Sequence, residues 1–534
     1  MAKGEKLTYQ ERLVVKKRTR VDVWQDRVAR LLVILLLCVQ PLYFNADRYF
    51  GLTGHKFVFF CICMGVVLLF TIIIWCVRLI KKPRLRPEFK FSVADWAILA
   101  FAAITLISAT FSPFRNVTNV WVGVTERYDG AITQLLYIVV FFIVSRWYKP
   151  RKRDTLIFAI SAILVALIGI FQFYGMDFFG LWPKGWWDYR ITNYYSIYFR
   201  STLGNINIVS TYVCIATLLC GFMFIRNPAP SGKPAGKAIE NIQQPLWLAA
   251  SALCFWLMEL ANSDSGLVGI VAGVFLALPF FIQNRKTLGR ALILVSSWAA
   301  VFALQRLFYQ VIALGDSSPV TLIPYIAVFI VLAAAGVFLS NTGSELEPDA
   351  TPKWKLGVII IAACIVAGIA AVEILGARLS VGSFAGRLMT EAREALHGRF
   401  DDDMGSGRIF IWKHALAAFP NYPIIGTGPD TFFNALPAEA HQVYGVNFDK
   451  AHNEYLQILI CQGILGIIAY LTFLGHTLVK AIPRAFKDPL IMAILAAFVG
   501  YCVQAFFNIS LPIASQSLFI FAGVLASRQT REAI

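Results

Sequence analysis

Residues 246–283 read LWLAASALCFWLMELANSDSGLVGIVAGVFLALPFFIQ. As one helix, this run would be roughly 57 Å long, nearly twice the hydrocarbon core of a bilayer. The polar stretch Asn262-Ser263-Asp264-Ser265-Gly266 sits in its middle. Two short crossings joined by a tight turn resolve the length. The choice fixes the side of every later loop. A single crossing would carry Lys480, Arg484 and Lys487 to the outer side, whereas a hairpin keeps them inside. The positive-inside rule selects the hairpin.

Working outward from this hairpin, apolar runs long enough to span lie near 28–44, 57–77, 94–112, 130–145, 155–174, 205–225, 246–262, 266–283, 290–313, 320–340, 356–375, 456–478, 489–508 and 510–527. They predict an all-α polytopic membrane protein with about 14 transmembrane helices and both termini cytoplasmic. Composition agrees. Apolar residues make up 58% of the 534 and charged residues only 15%, against about 25% charged in a soluble chain. That excludes a disordered chain, a disulfide scaffold and most soluble enzymes. A net charge of +17 would suit nucleic acid, but its distribution does not. Of the 48 Lys and Arg, 33 fall in the segments 1–30, 78–93, 146–154, 226–245, 284–290, 341–355, 479–488 and 527–534. Basic clusters between apolar runs mark cytoplasmic loops beside anionic lipid, so membrane lipid is an expected partner and nucleic acid is not. All 10 cysteines fall in apolar runs, which predicts neither a structural disulfide nor a thiolate metal site.

The predicted organisation is a basic cytoplasmic N-terminus (1–27), too polar for a cleaved signal peptide. Helices 1–11 follow (28–375), with an aromatic outer loop at 174–204. A large extracytoplasmic loop containing short helices comes next (376–455). Helices 12–14 and a short cytoplasmic C-terminus close the chain (456–534). The inner stretch 226–245 reads as a linker, from Pro228, Pro230, Gly232 and Pro234.

Candidate functional residues lie in the outer segments. Arg408 opens Gly407-Arg408-Ile409-Phe410-Ile411-Trp412-Lys413-His414-Ala415-Leu416, where Trp412, Leu416 and Phe419 keep helical spacing. The expected element is a short amphipathic helix on the membrane face. An anion at its start would meet an arginine and a helix N-terminus together; the alternative is an arginine snorkelling at the interface. Gly426-Thr427-Gly428-Pro429-Asp430 is either a plain turn or a phosphate cradle, though it is not a P-loop. Asp430 is a candidate helix cap. His452 and Asn453 stand directly before the twelfth span. A boundary histidine is either a polar anchor or a group that titrates near neutral pH and accepts a hydroxyl proton. The six histidines include no HExxH-type pair, so no zinc site is expected. The first outer loop carries Phe178, Phe179, Trp182, Trp186, Trp187, Tyr189, Tyr194, Tyr195 and Tyr198, with Arg190 and Arg200 among them. These aromatics form either an interfacial belt or sugar-stacking surfaces. Asp264, at the hairpin tip, needs a partner or an aqueous cavity.

In this order, Arg200 through Asn207, the Ser263-to-Gly266 turn, Arg408 with Trp412, Gly426-Thr427-Gly428-Pro429, and His452-Asn453 followed by Tyr455-Leu456 resemble the bacterial O-antigen ligase and polymerase superfamily. The resemblance covers roughly residues 190–480. It implies an integral-membrane (GT-C-like), inverting, metal-independent and cofactor-free glycosyltransferase. Such an enzyme works at the outer face of the bacterial cytoplasmic membrane. It takes a glycan from an undecaprenyl-pyrophosphate donor and passes it to a hydroxyl of a glycan, lipid or protein acceptor. It also implies that His452 is the base and that Arg408 holds the pyrophosphate. Substrate contacts are expected from Asn453, Arg200, Asn205 and the position of Asp264. Many superfamily members carry arginine where this chain has Asp264, so Arg200 or Arg127 becomes the candidate second phosphate ligand. Ile206 replaces a frequent proline, and fourteen spans exceed the twelve typical of the ligases, which leans toward a polymerase-like member. A transporter of lipid-linked sugars is the competing class; it predicts paired halves with polar residues at mid-membrane, and no inverted repeat is visible.

The topology is open to direct test. A cysteine placed at Ser383 reacts with an impermeant thiol reagent in intact cells, and one at Ser231 does not. The reverse labelling pattern overturns the hairpin.

Overall fold

The computed structural model describes residues 20–47, 51–81, 91–181, 201–226, 234–261, 263–312, 322–343, 354–378, 384–437 and 448–527. Each of the fourteen apolar runs is helical. The helices are α1 (Arg20–Ile34, continued by a π turn Leu35–Val39 and by Gln40–Leu42), α2 (Leu52–Lys81), α3 (Val93–Thr110), α4 (Ala131–Trp147), α5 (Lys152–Phe173), α6 (Ile206–Arg226), α7 (Pro234–Ala261), α8 (Asp264–Phe281), α9 (Arg285–Ile312), α10 (Ile323–Thr342), α11 (Trp354–Arg378), α12 (Phe384–Leu396), α13 (Met404–Ala418), α14 (Glu454–Ala485), α15 (Pro489–Gln504) and α16 (Gln516–Ala526). Ten of these helices are long and apolar enough to cross a membrane; α4, α8 and α16 are apolar but shorter.

Caps set several of the boundaries. Ser92 and Asp95 form a reciprocal capping box at the start of α3. Asn453 caps α14 by accepting from the Tyr455 and Leu456 N–H groups, both at 3.0 Å. Asp488 caps α15 ahead of Pro489 at its first position. The polar stretch at Ser263 separates α7 from α8, and both helices pack against α6.

Helix α6 is the central strut and is enclosed by α7, α15, α8, α9 and α5. A second group places α14 against α3 and α16 against α4. By contrast, α10 and α11 hold almost no fully buried residues among those described, although α10 packs along α9, and their outward faces suit contact with lipid tails. The two ends of the bundle differ in chemistry. At one end Arg30 pairs with Asp154 at 2.7 Å, Arg146 with Asp95 at 2.8 Å, and Arg151 with Asp26. The opposite ends of α3 and α4 lead to the segment that holds Asp129.

Candidate functional site

Helix α14 is broken at Gly463 (φ 69°, ψ −171°). The chain at 423–428 runs into this break. Thr427 N–H donates to Ile460 O at 3.0 Å, Gly428 N–H to Cys461 O at 2.9 Å, and Ile464 N–H to Pro423 O at 2.8 Å. A side chain at Gly426 would come within 2.5 Å of the Cys461 carbonyl oxygen, so glycine is required by close backbone approach. The Gly-Thr-Gly turn is therefore a structural joint. The Thr427 and Gly428 N–H groups are spent on α14, which favours the plain turn over a phosphate cradle.

The joint delivers Asp430 to the interior. Asp430 does not cap a helix. One carboxylate oxygen accepts from Val124 N–H at 2.7 Å, and the other meets Lys450 Nζ at 2.6 Å. The same ammonium pairs with Asp129 at 2.9 Å, and all three side chains are buried. Burial, opposed by Lys450 and reinforced by Asp430, pushes the Asp129 carboxyl up to about 6. The two carboxylates hold the Lys450 ammonium above its ordinary range against the cost of burial.

The residues around Lys450 are fixed in turn. Arg127 Nε donates to Asp449 at 2.5 Å. Ala451 N–H donates to Gln457 Oε1 at 2.9 Å, and Trp412 Nε1–H donates to Ala451 O at 2.9 Å. His452 follows with left-handed backbone (φ 48°), and Asn453 then starts α14. Glu126, Tyr128 and Asp430 are also left-handed. Four strained non-glycine residues in one place are what an over-determined functional site carries.

Helix α13 faces this segment. Gly405, Ser406 and Gly407 are left-handed, so regular helix begins at Arg408. Of the expected apolar stripe, Trp412 and Phe419 pack on the protein and Leu416 is exposed. The fully buried face adds Phe410, Ile411 and Ala415, which pack with Phe432, Leu456 and Ile460. Arg408 Nη1 donates to Gly405 O at 2.8 Å. Its Nε is buried and makes no hydrogen bond among the described residues, and neither does the buried Nδ1 of His452.

The charge balance explains the state of the histidine. Burial first, and then the Arg408 guanidinium, lower the His452 pKa from 6.5 to about 4. Arg127 and Lys450 add to the lowering, and Asp449 opposes it. The expectation of titration near neutrality is corrected: the imidazole is neutral throughout the neutral range. Burial also lowers the Arg408 pKa, opposed by Asp264 and Glu391. Asp264 therefore shares the electrostatic environment of Arg408.

Other expected site residues fall as follows. Asn453 Oδ1 is committed to capping α14. Asn205 Oδ1 accepts from Asn207 N–H at 2.8 Å and starts α6. Arg127 is held by Asp449 beside the His452 segment. Arg200 and the aromatics from Trp182 to Tyr198 lie outside the described residues. Glu454, the other acid near the histidine, is buried and accepts from Tyr470 OH at 2.5 Å and Tyr501 OH at 3.0 Å. Lys450 and Asp129 were not singled out from the sequence as site residues. Their signal is a charge beside an apolar segment, which demands a partner.

A family model described as O-Antigen ligase matches residues 249–471. The match supports the resemblance to the O-antigen ligase and polymerase superfamily over that part of the chain. It includes Asp264, Arg408, Asp430, Lys450 and His452, whereas Arg127, Asp129 and Asn205 come from outside it. No curated protein matches the chain.

Two outcomes follow from this geometry. Lys450→Met leaves two buried carboxylates uncompensated and costs about 3–5 kcal/mol; Lys450→Met combined with Asp129→Asn and Asp430→Asn recovers most of the loss, as read from thermal unfolding in detergent. Equal stability of the single and triple variants contradicts the pairing. The second concerns acid. The folded-state pKa of His452 is depressed, so below pH 6.5 the unfolded chain binds a proton that the folded chain does not. Stability therefore falls as pH drops from about 6.5 to about 4, and His452→Gln flattens that part of the unfolding-midpoint curve.

Proposed function

We propose that this O-antigen ligase-type chain transfers a glycan from an undecaprenyl-pyrophosphate donor to an acceptor hydroxyl at the outer face of the cytoplasmic membrane. The observation that carries this reading is a pair of buried nitrogens, Arg408 Nε and His452 Nδ1, that make no hydrogen bond among the described residues and lie in one electrostatically coupled site. Buried polar atoms are normally hydrogen-bonded. A guanidinium at the start of a regular helix suits a phosphate oxygen, and a neutral imidazole suits a hydroxyl proton.

In the proposed step the acceptor oxygen forms a bond to the anomeric carbon as the bond from that carbon to the pyrophosphate oxygen breaks. The hydroxyl proton passes to His452. The leaving pyrophosphate keeps the electron pair, and Arg408 meets its growing negative charge. Attack opposite the leaving group inverts the anomeric centre. The donor also tunes the base. Its negative charge offsets the cations that depress His452, so imidazole basicity rises when the donor is bound. Ligation and polymerisation differ in the acceptor and share this site; the acceptor is a glycan, lipid or protein hydroxyl.

The test is product formation by purified protein from a radiolabelled undecaprenyl-pyrophosphate glycan. His452→Ala loses transfer by at least about 10²-fold while retaining donor binding. Arg408→Ala weakens donor binding and turnover together, and Arg408→Lys restores little, because a point charge does not reproduce the guanidinium fork. The acid limb of kcat/KM, which reports the free enzyme, lies well below 6.5. Near wild-type transfer by His452→Ala refutes the base assignment.

A further inference from the structure

Arg408 and Trp412 are four residues apart on regular helix, so they share a face of α13 about 6 Å apart at Cβ. Trp412 is partly exposed. Its indole N–H is not spent on water, the usual arrangement for a tryptophan anchored at a bilayer interface. It donates at 2.9 Å to the carbonyl of Ala451, the residue before His452. This bond sets the plane of the ring relative to the histidine segment. The Phe506 ring stands 5.4 Å away at 82° to Trp412, and the Phe507 ring lies 6.1 Å away at 36°. Phe506 is 44% exposed. Trp412 also packs against the apolar cluster around Ile411 and Leu456, and with the exposed Phe506 it forms an aromatic corner between Arg408, one turn away on α13, and Ala451, the residue before His452.

We propose that this corner is the binding subsite for the pyranose ring being transferred, with Trp412 as the stacking surface and Phe506 as its wall. The inference rests on the donor reading above. A sugar esterified to a phosphate held by Arg408 begins one bond beyond the bridging oxygen, within about one helical turn of that phosphate. It must also reach toward His452, where the acceptor is activated. Trp412 lies on that line and is bonded to the main chain at its far end. The apolar C–H face of a pyranose packs on an aromatic face, and the hydroxyls remain at the edge. As the leaving-group bond stretches, positive charge develops on the anomeric carbon and ring oxygen, and an aromatic face attracts it. Phe506 lies outside the O-antigen ligase match at 249–471, so this subsite joins α13 to the end of α15.

The experiment compares two classes of soluble probe without acceptor: geranyl pyrophosphate, and geranyl-pyrophosphoryl glucose, galactose and N-acetylglucosamine. Wild type binds at least one sugar-bearing probe about 10-fold more tightly than the sugar-free one. Trp412→Ala abolishes that ratio and leaves geranyl pyrophosphate binding within about two-fold, while Trp412→Phe keeps most of it. Phe506→Ala lowers the ratio with no change at Ala451, and serves if Trp412→Ala does not fold. Arg408→Gln weakens all probes alike. Loss of affinity for both probe classes in Trp412→Ala, an unchanged ratio in Phe506→Ala, or no sugar-dependent gain in wild type overturns the subsite. Failure of the donor reading itself is distinct: it appears as Arg408→Gln binding every probe as wild type does.

Discussion

A buried ammonium between two carboxylates, Lys450 between Asp129 and Asp430, is the contact on which the site depends. It draws three distant segments to one point: the approach to α4, the turn after the Gly-Thr-Gly joint, and the approach to α14. Replacing such a triad with apolar groups is often neutral or stabilising, so its value here is not a large net stability. Its value is register. The ammonium can be compensated in this interior only where both carboxylates meet it, and that fixes the chain two residues before His452.

The same cluster sets the electrostatics. Arg408, Arg127 and Lys450 surround His452 with positive charge, and Asp449 alone is identified as opposing them at the ring. A neutral imidazole is the state that such surroundings favour. Asp264 and Glu391 act on Arg408 instead, favouring its charged form against burial. The acid at the hairpin tip thus belongs to the environment of Arg408. A ligand with several negative charges fits the excess of cations at the histidine better than it fits the neighbourhood of Asp264.

Much of the fold was legible from elementary constraints. A 20-residue apolar run must cross or be enclosed, and length together with the positive-inside rule predicts a turn where α7 ends at Ala261 and α8 starts at Asp264. The placement of Arg408 and His452 also followed, since each stands at the boundary of a helical pattern. What the sequence did not reveal depends on long-range pairing. Nothing local to Lys450 says that its partners are 20 and 321 positions away in the chain. The Gly426 and Gly428 pair reads equally as a cradle or a joint until α14 is seen to break at Gly463. The docked face of α13 was legible only in part. Trp412 and Phe419 pack against the cluster as their spacing suggests, but Phe410, Ile411 and Ala415 fill the narrow space against Phe432 and Ile460, and Leu416 is left exposed.

The left-handed backbone of His452 has a reason in its neighbours. Lys450 and Glu454 are both buried among polar partners, the first with Asp129 and Asp430, the second with the hydroxyls of Tyr470 and Tyr501. In a regular extended run, residues 450, 452 and 454 would point the same way, and the histidine would join that interior. A residue at φ 48° breaks the alternation. The groups that act on His452 are then Arg408, Asp449, Arg127 and Lys450, with the arginine of α13 foremost. The strain of a left-handed non-glycine residue, of order 1–3 kcal/mol, persists because the triad fixes the chain on one side and the Asn453 cap fixes it on the other. One distorted residue between two rigid anchors is how this chain separates its buried polar interior from the side that Arg408 acts on.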